Sequence, residues 1–138
     1  IAEAPIAFLS AHRARKLHMK NPSADDLLDL ILRTLDDNKA ENVVMVDLEG
    51  KSPLADFMVV ANGRSHRQVQ ALADYIARAV KETAGAPKVE GMTQGDWVLI
   101  DTGDVVVHLF RPEVREFYNI EAMWNATPVS PKTGSINS

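Results

Sequence analysis

The groups that could do chemistry in this chain crowd into one stretch, Gly95 to Phe110, which holds Trp97, Asp101, Asp104 and His108. Two carboxylates three positions apart can share a divalent cation or work as an acid and base pair. Asp is equally the residue that tight turns favour, because its side chain bonds its own backbone. His12, His18, His66 and His108 follow no metal-binding spacing such as His-Glu-x-x-His, so no metal ligand and no catalytic residue is assigned. Gly50-Lys51-Ser52 resembles the end of a phosphate-binding loop, but Met45 stands where that loop needs its first Gly. Asn62-Gly63-Arg64-Ser65 reads as a turn followed by a helix cap. Neither a nucleophile elbow nor a dinucleotide fingerprint is present, and no cofactor is expected.

What must position these groups is a β-hairpin. Trp97 to Asp101 and Asp104 to Phe110 are aliphatic and β-branched runs flanking Thr102-Gly103. A loop of those two residues sets Asp101 opposite Asp104, Ile100 opposite Val105, Leu99 opposite Val106, Val98 opposite Val107 and Trp97 opposite His108. One side then carries Val98, Ile100, Val105 and Val107, an aliphatic face for helices to cover. The other carries Trp97, Leu99, Asp101, Asp104, Val106 and His108, the mixture of apolar bulk and polar tips that partner interfaces use. Trp97 is either an anchor for a partner or a side chain covered by another segment of the same chain.

The rest of the chain supplies the frame. Ser23 caps a helix with the stripe Leu27, Leu28, Ile31 and Leu35; Val43 to Leu48 and Phe57 to Ala61 are strands. Ser65 and Gln68 form a capping box for the longest helix, with Val69, Leu72, Ala73, Ile76 and Val80 inward and Gly85-Ala86-Pro87 as its stop. A short strand surrounds Val89, and Pro112 opens a last helix placing Val114, Phe117, Tyr118, Glu121 and Trp124 on one broad side. The order α-β-β-α-β-β-β-α predicts an α/β domain over 23–125 with a mixed sheet of about five strands packed with helices. Residues 1–22 read as a flexible N-terminal extension, although their Arg-rich, acid-poor composition is compatible with a targeting segment; 126–138 read as a disordered tail.

Composition narrows the function. With 138 residues, 46% hydrophobic, the chain can bury a core, and no apolar run is long enough for a membrane span. The absence of Cys removes disulfides and thiol chemistry and fits a cytoplasmic protein. Of 15 basic and 19 acidic residues, the first 20 positions hold four and one, which leaves 11 and 18, or −7, for the remainder. An acidic domain suits a basic protein partner and not direct nucleic-acid readout.

Several motifs in order resemble the ribosomal silencing factor family, also called Iojap-related proteins. They are Asp56-Phe57-Met58-Val59-Val60 with Asn62-Gly63-Arg64-Ser65, Glu90-Gly91, Asp96-Trp97-Val98-Leu99-Ile100-Asp101-x-Gly103-Asp104-Val105-Val106-Val107-His108, Arg115-x-Phe117-Tyr118 and Ile120-Glu121-x-Met123-Trp124. The likeness spans residues 25–124. It implies a nucleotidyltransferase-like fold and a cytoplasmic factor that binds the large ribosomal subunit through its fourteenth protein. It also implies that this factor blocks joining of the small subunit and represses translation under nutrient limitation. The family's interaction surface maps onto Trp97, Val98 and Leu99; with the face assignment above, the expected contact set is Trp97, Leu99, Asp101, Asp104, Val106, His108 and, ranked last because it points inward, Val98. The Gly-Ser and Asp-x-Asp pattern of nucleotidyltransferase chemistry is missing, so no enzyme activity is expected. The alternatives are a metal-dependent nucleotidyltransferase-like enzyme using Asp101 and Asp104, or a scaffold for another basic protein. A homodimer is compatible with the sequence.

Overall fold

The computed structural model describes residues 23–130. The expectations for the N-terminal extension, and for the tail from 131 onward, fall outside these residues.

Helix α1 (Ala24–Asp37) begins where Ser23 adopts an extended conformation; its Oγ accepts from the Asp26 N–H and the Asp26 carboxylate accepts from the Ser23 N–H. This reciprocal box closes two donors that the first helical turn leaves free. Leu27, Leu28, Ile31 and Leu35 are all buried, as their spacing predicts. Strand β1 (Glu41–Asp47) pairs antiparallel with β2 (Phe57–Asn62), with an irregularity between Glu41 and Val44. Every residue of β2 is buried, because this strand lies inside the sheet and both its faces are covered. Helix α2 (His66–Ala84) carries the chain over one face to β3 (Lys88–Glu90), β4 (Trp97–Asp101) and β5 (Val105–Phe110). Its capping box is only half formed: Ser65 Oγ accepts from the Gln68 N–H, but the Gln68 side chain accepts from Arg64 N–H, one residue before the cap.

The sheet has six strands in the order β3-β4-β5-β2-β1-β6, with β2 and β5 parallel and every other pair antiparallel. The mixed α/β architecture agrees with the sequence reading, and β6 (Thr127–Pro128) is the addition. It pairs with Met45 and Val44, and the Val129 N–H donates to the Val43 carbonyl. The ladder thus runs past 125, into residues whose Pro-, Ser- and Thr-rich composition predicts a disordered tail. Two backbone pairings and an apolar Val129 are enough to order a strand too short for periodicity to reveal.

The hairpin register differs from expectation by two residues. Asp101 opposes Val106, Ile100 opposes Val107, Leu99 opposes His108, Val98 opposes Leu109 and Trp97 opposes Phe110. The turn residues are therefore Gly103-Asp104, not Thr102-Gly103, and Thr102 donates to the Val105 carbonyl to close the turn. The first turn position takes φ +99°, a conformation open to Gly and resisted by residues with a Cβ. A shift of two leaves every side chain on its assigned face, since strand side chains alternate with period two.

The C-terminal segment also departs from a single long helix. Helix α3 (Pro112–Tyr118) ends at Asn119, which is left-handed at φ 45°, ψ 51°, and a 3-10 turn follows over Ile120–Met123. The break rotates the later residues, so Phe117 faces solvent while Val114, Ile120 and Trp124 pack on the sheet. Two cores result. Helices α1 and α2 cover Val59, Ala61, Val98, Ile100, Val105, Val107 and Leu109. The strap formed by α3, the 3-10 turn and the residues leading to β6 packs through Val114, Ile120, Trp124 and Ala126 against buried Val46, Met58, Val60 and Phe110, and leaves Trp97 and Val106 half-buried.

Candidate docking face

Trp97 opens β4 on the strap side. Its ring lies 4.8 Å from Phe110 and 4.9 Å from Tyr118, and its Nε1–H donates to His108 Nδ1 at 3.0 Å. Trp97 and His108 are not directly opposed; the indole reaches diagonally across the ladder. Because Nδ1 accepts, neutral His108 carries its proton on Nε2. Burial lowers the His108 pKa to about 4, against the opposing pull of the Glu121 carboxylate, so the imidazole is neutral at pH 7.

Backbone packing fixes the start of β4 as well. Gly91 has φ +91°, and a Cβ there would sit 2.2 Å from the Trp97 carbonyl oxygen, so the loop before β4 closes only on Gly. Asp96 accepts from Arg111 Nε and contacts His66 Nε2, each at 2.9 Å, and the Arg111 N–H donates to the Asp96 carbonyl. These contacts tie the beginnings of β4, α2 and α3 together.

The strap is latched by Arg115. Its Nε and Nη2 reach Glu121 Oε2, both at 2.8 Å, and Nη1 donates to the Asn42 carbonyl at 2.6 Å and to Asn62 Oδ1 at 2.9 Å. Side-chain exposure of 11% for Arg115 and 18% for Glu121 places the pair largely out of water. Asn62 is the buried polar side chain of the core, and Arg115 is what satisfies its oxygen. Neither the latch nor the exposure of Phe117, Tyr118 and Met123 is apparent from hydrophobic periodicity. Asn119 is the available signal, because Asn tolerates the left-handed conformation that ends a helix.

Of the expected contact residues, Trp97, Leu99, Val106 and His108 share the strap side and are half-buried. Val98 is fully buried in the helix-side core and supports the strand from behind. Asp101 and Asp104 belong to the hairpin tip; Asp101 lies four residues from Trp97, roughly 13 Å along the strand. Asp101 Oδ1 accepts from the Gly103 N–H at 2.9 Å, so this carboxylate shapes the turn. Among the described residues no three His, Asp or Glu side chains cluster as a metal site would require.

The arrangement offers aromatic surface at one end of β4, acidic groups at the other and neutral imidazole between, which is recognition chemistry. The family described as "Ribosomal silencing factor during starvation" matches residues 21–137. A ribosomal silencing factor from Zymomonas mobilis is 50% identical over 109 residues, covering 76% of this chain and 82% of that protein. The mouse protein named "Mitochondrial assembly of ribosomal large subunit protein 1" is 29% identical over 101 residues, 70% of this chain and 44% of that one. A crystal structure of a Chromobacterium violaceum protein superposes with a TM-score of 0.73 at 37% identity, covering 81% of this chain and 94% of that chain. Motifs, fold and relatives agree: the chain belongs to the ribosomal silencing factor family.

Proposed function

We propose that this protein is a non-enzymatic steric blocker that docks in the cytoplasm on the large ribosomal subunit through its fourteenth protein and prevents small-subunit joining when nutrients are scarce. The observation that carries the reading is the half-open aromatic cluster around Trp97, held rigid by Phe110, Tyr118 and His108 beside an acidic hairpin tip. Rigid aromatic anchors give contact area at little ordering cost, and acidic groups steer the approach of a basic protein. Trp97 and Leu99 make the apolar contact, Val106 widens it, and Asp101, Asp104 and His108 fix orientation. Steric occupancy needs no reacting group, which accords with Asp101 being engaged by its own turn. The printed name of the mouse relative, which refers to large-subunit assembly, supports the choice of subunit.

The test is sedimentation of purified large and small ribosomal subunits with the wild-type protein and with Trp97→Phe and Trp97→Ala, each checked by circular dichroism. Wild type should travel with the large subunit and reduce joining; Trp97→Phe keeps packing but loses the N–H to His108 and should bind more weakly; Trp97→Ala should not bind. Wild type that ignores the large subunit defeats the reading.

A further inference from the structure

The row of rings that begins in the core ends in open water. Phe110 is fully buried, Trp97 half-buried, Tyr118 53% exposed and Phe117 80% exposed, with the Phe117 ring edge-on to Tyr118 at 5.0 Å. Met123, five residues on, is 82% exposed. A scattered apolar side chain on a surface is ordinary, whereas an exposed aromatic continuous with a half-open apolar face is the pattern of an interaction site. The charges around it are sorted. Arg111 is ion-paired with Asp96 and Glu113, and Arg115 with Glu121 while donating to Asn42 and Asn62, so the groups helix α3 leaves for a partner are Glu116, Phe117 and Tyr118.

We propose that Phe117, flanked by Tyr118, is a second apolar anchor for the ribosomal partner. It takes a protein surface with an apolar recess bordered by Lys or Arg. The inference rests on the docking reading above and deepens it. Exposed rings could also stack on nucleotide bases, but a phosphate backbone needs cations, and Arg115 of α3 and Arg111 just before it are already ion-paired within the domain. Acids beside an aromatic suit a basic protein rim instead. Trp97 then remains the first contact of the row, and Phe117 adds a second at its solvent end.

The experiment measures binding of wild type, Phe117→Ala and Glu116→Lys to purified large subunits, together with the thermal midpoint of each protein. Expected are affinity losses of roughly tenfold or more for Phe117→Ala, as for a central anchor, a smaller loss for Glu116→Lys, and unchanged midpoints. Wild-type binding with Phe117→Ala within twofold of it overturns the inference and leaves the docking reading standing. Absence of wild-type binding removes both. A midpoint lowered by several degrees in Phe117→Ala identifies the ring as covered by the protein's own chain and overturns the free anchor. Tighter binding by Glu116→Lys points to RNA and overturns the choice of a protein surface.

Discussion

The two faces of the sheet are built from the same alternating strands and end up in different states. The helix-side face is closed by α1 and α2, of 14 and 19 residues, which bury Leu27, Leu28, Ile31, Leu35, Val69, Leu72, Ala73, Ile76 and Val80. The strap-side face is covered by a seven-residue helix with no buried residue and a four-residue 3-10 turn. Long amphipathic helices lay a continuous apolar stripe over a sheet, while short, interrupted ones contribute isolated side chains such as Val114, Ile120 and Trp124. Buried apolar side chains are concentrated on the first face, and the second leaves aromatic surface exposed. The strap is held by the Arg115 latch, the Arg111–Asp96 pair and a few packed side chains, where the helices are held by area.

The contrast can be broken most forcefully at Leu35, which is fully buried. Leu35→Ala should cost about 2–5 kcal/mol and lower the unfolding midpoint seen by every probe; urea titrations followed by circular dichroism and Trp fluorescence check this. Ile120→Ala, under the strap, should cost roughly half as much, and its effect should concentrate in faster hydrogen exchange of residues 111–130. Equal losses at the two positions would erase the distinction.

Acid tests the strap side alone. The folded-state pKa of His108 lies below its unfolded value, so unfolded chains take up its proton first as pH falls. The stability that neutral His108 allows is complete above pH 6.5 and is lost progressively toward pH 4. The loss is up to about 3 kcal/mol, less where solvent reaches the ring. Stability curves for wild type and His108→Gln over pH 4–7 should converge as pH falls, because the variant lacks this titration. Parallel curves would remove His108 from the account.

The latch comes next in size. Arg115→Met strands the Glu121 carboxylate and should cost about 2 kcal/mol, below the figure for fully buried pairs because both side chains keep some water. Adding Glu121→Leu should recover much of the loss, measured as a double-mutant cycle. The smallest effect belongs to the hairpin tip: Asp104→Asn should slow association with large subunits by a few-fold at low salt and by less at high salt. A salt-independent rate would exclude steering by that end.

Much of this was legible in the residues, and the misses share a cause. The Ser23 cap, the stripe of α1, the Gly85 stop and the face assignment of Val98, Ile100, Val105 and Val107 follow from local rules of capping and alternation. The hairpin register departs from expectation because Gly103 suits either position of a two-residue turn, and the pairing of Asp101 with Val106 decides between them. The strap was misread because a helical stripe through Phe117, Glu121 and Trp124 looks continuous until Asn119 breaks it. The Arg115 latch joins residues up to 73 positions apart, a separation at which no local pattern speaks. For the candidate site, alternation reveals which side chains share a face, but the degree of cover depends on the strap and so on those long-range contacts.

Strand β6 gives the sheet a margin that resists extension. A sheet with bare margins is a template on which further chains can add, because unpaired N–H and C=O groups invite another strand. Here one margin is β3, three residues long with charged Lys88 and Glu90 at its ends, and the other is β6, two residues long with Pro128 supplying no N–H. Both ends of the ladder are thereby poor seeds for aggregation. Short, broken margins let the domain leave an apolar face partly open without also offering an open sheet.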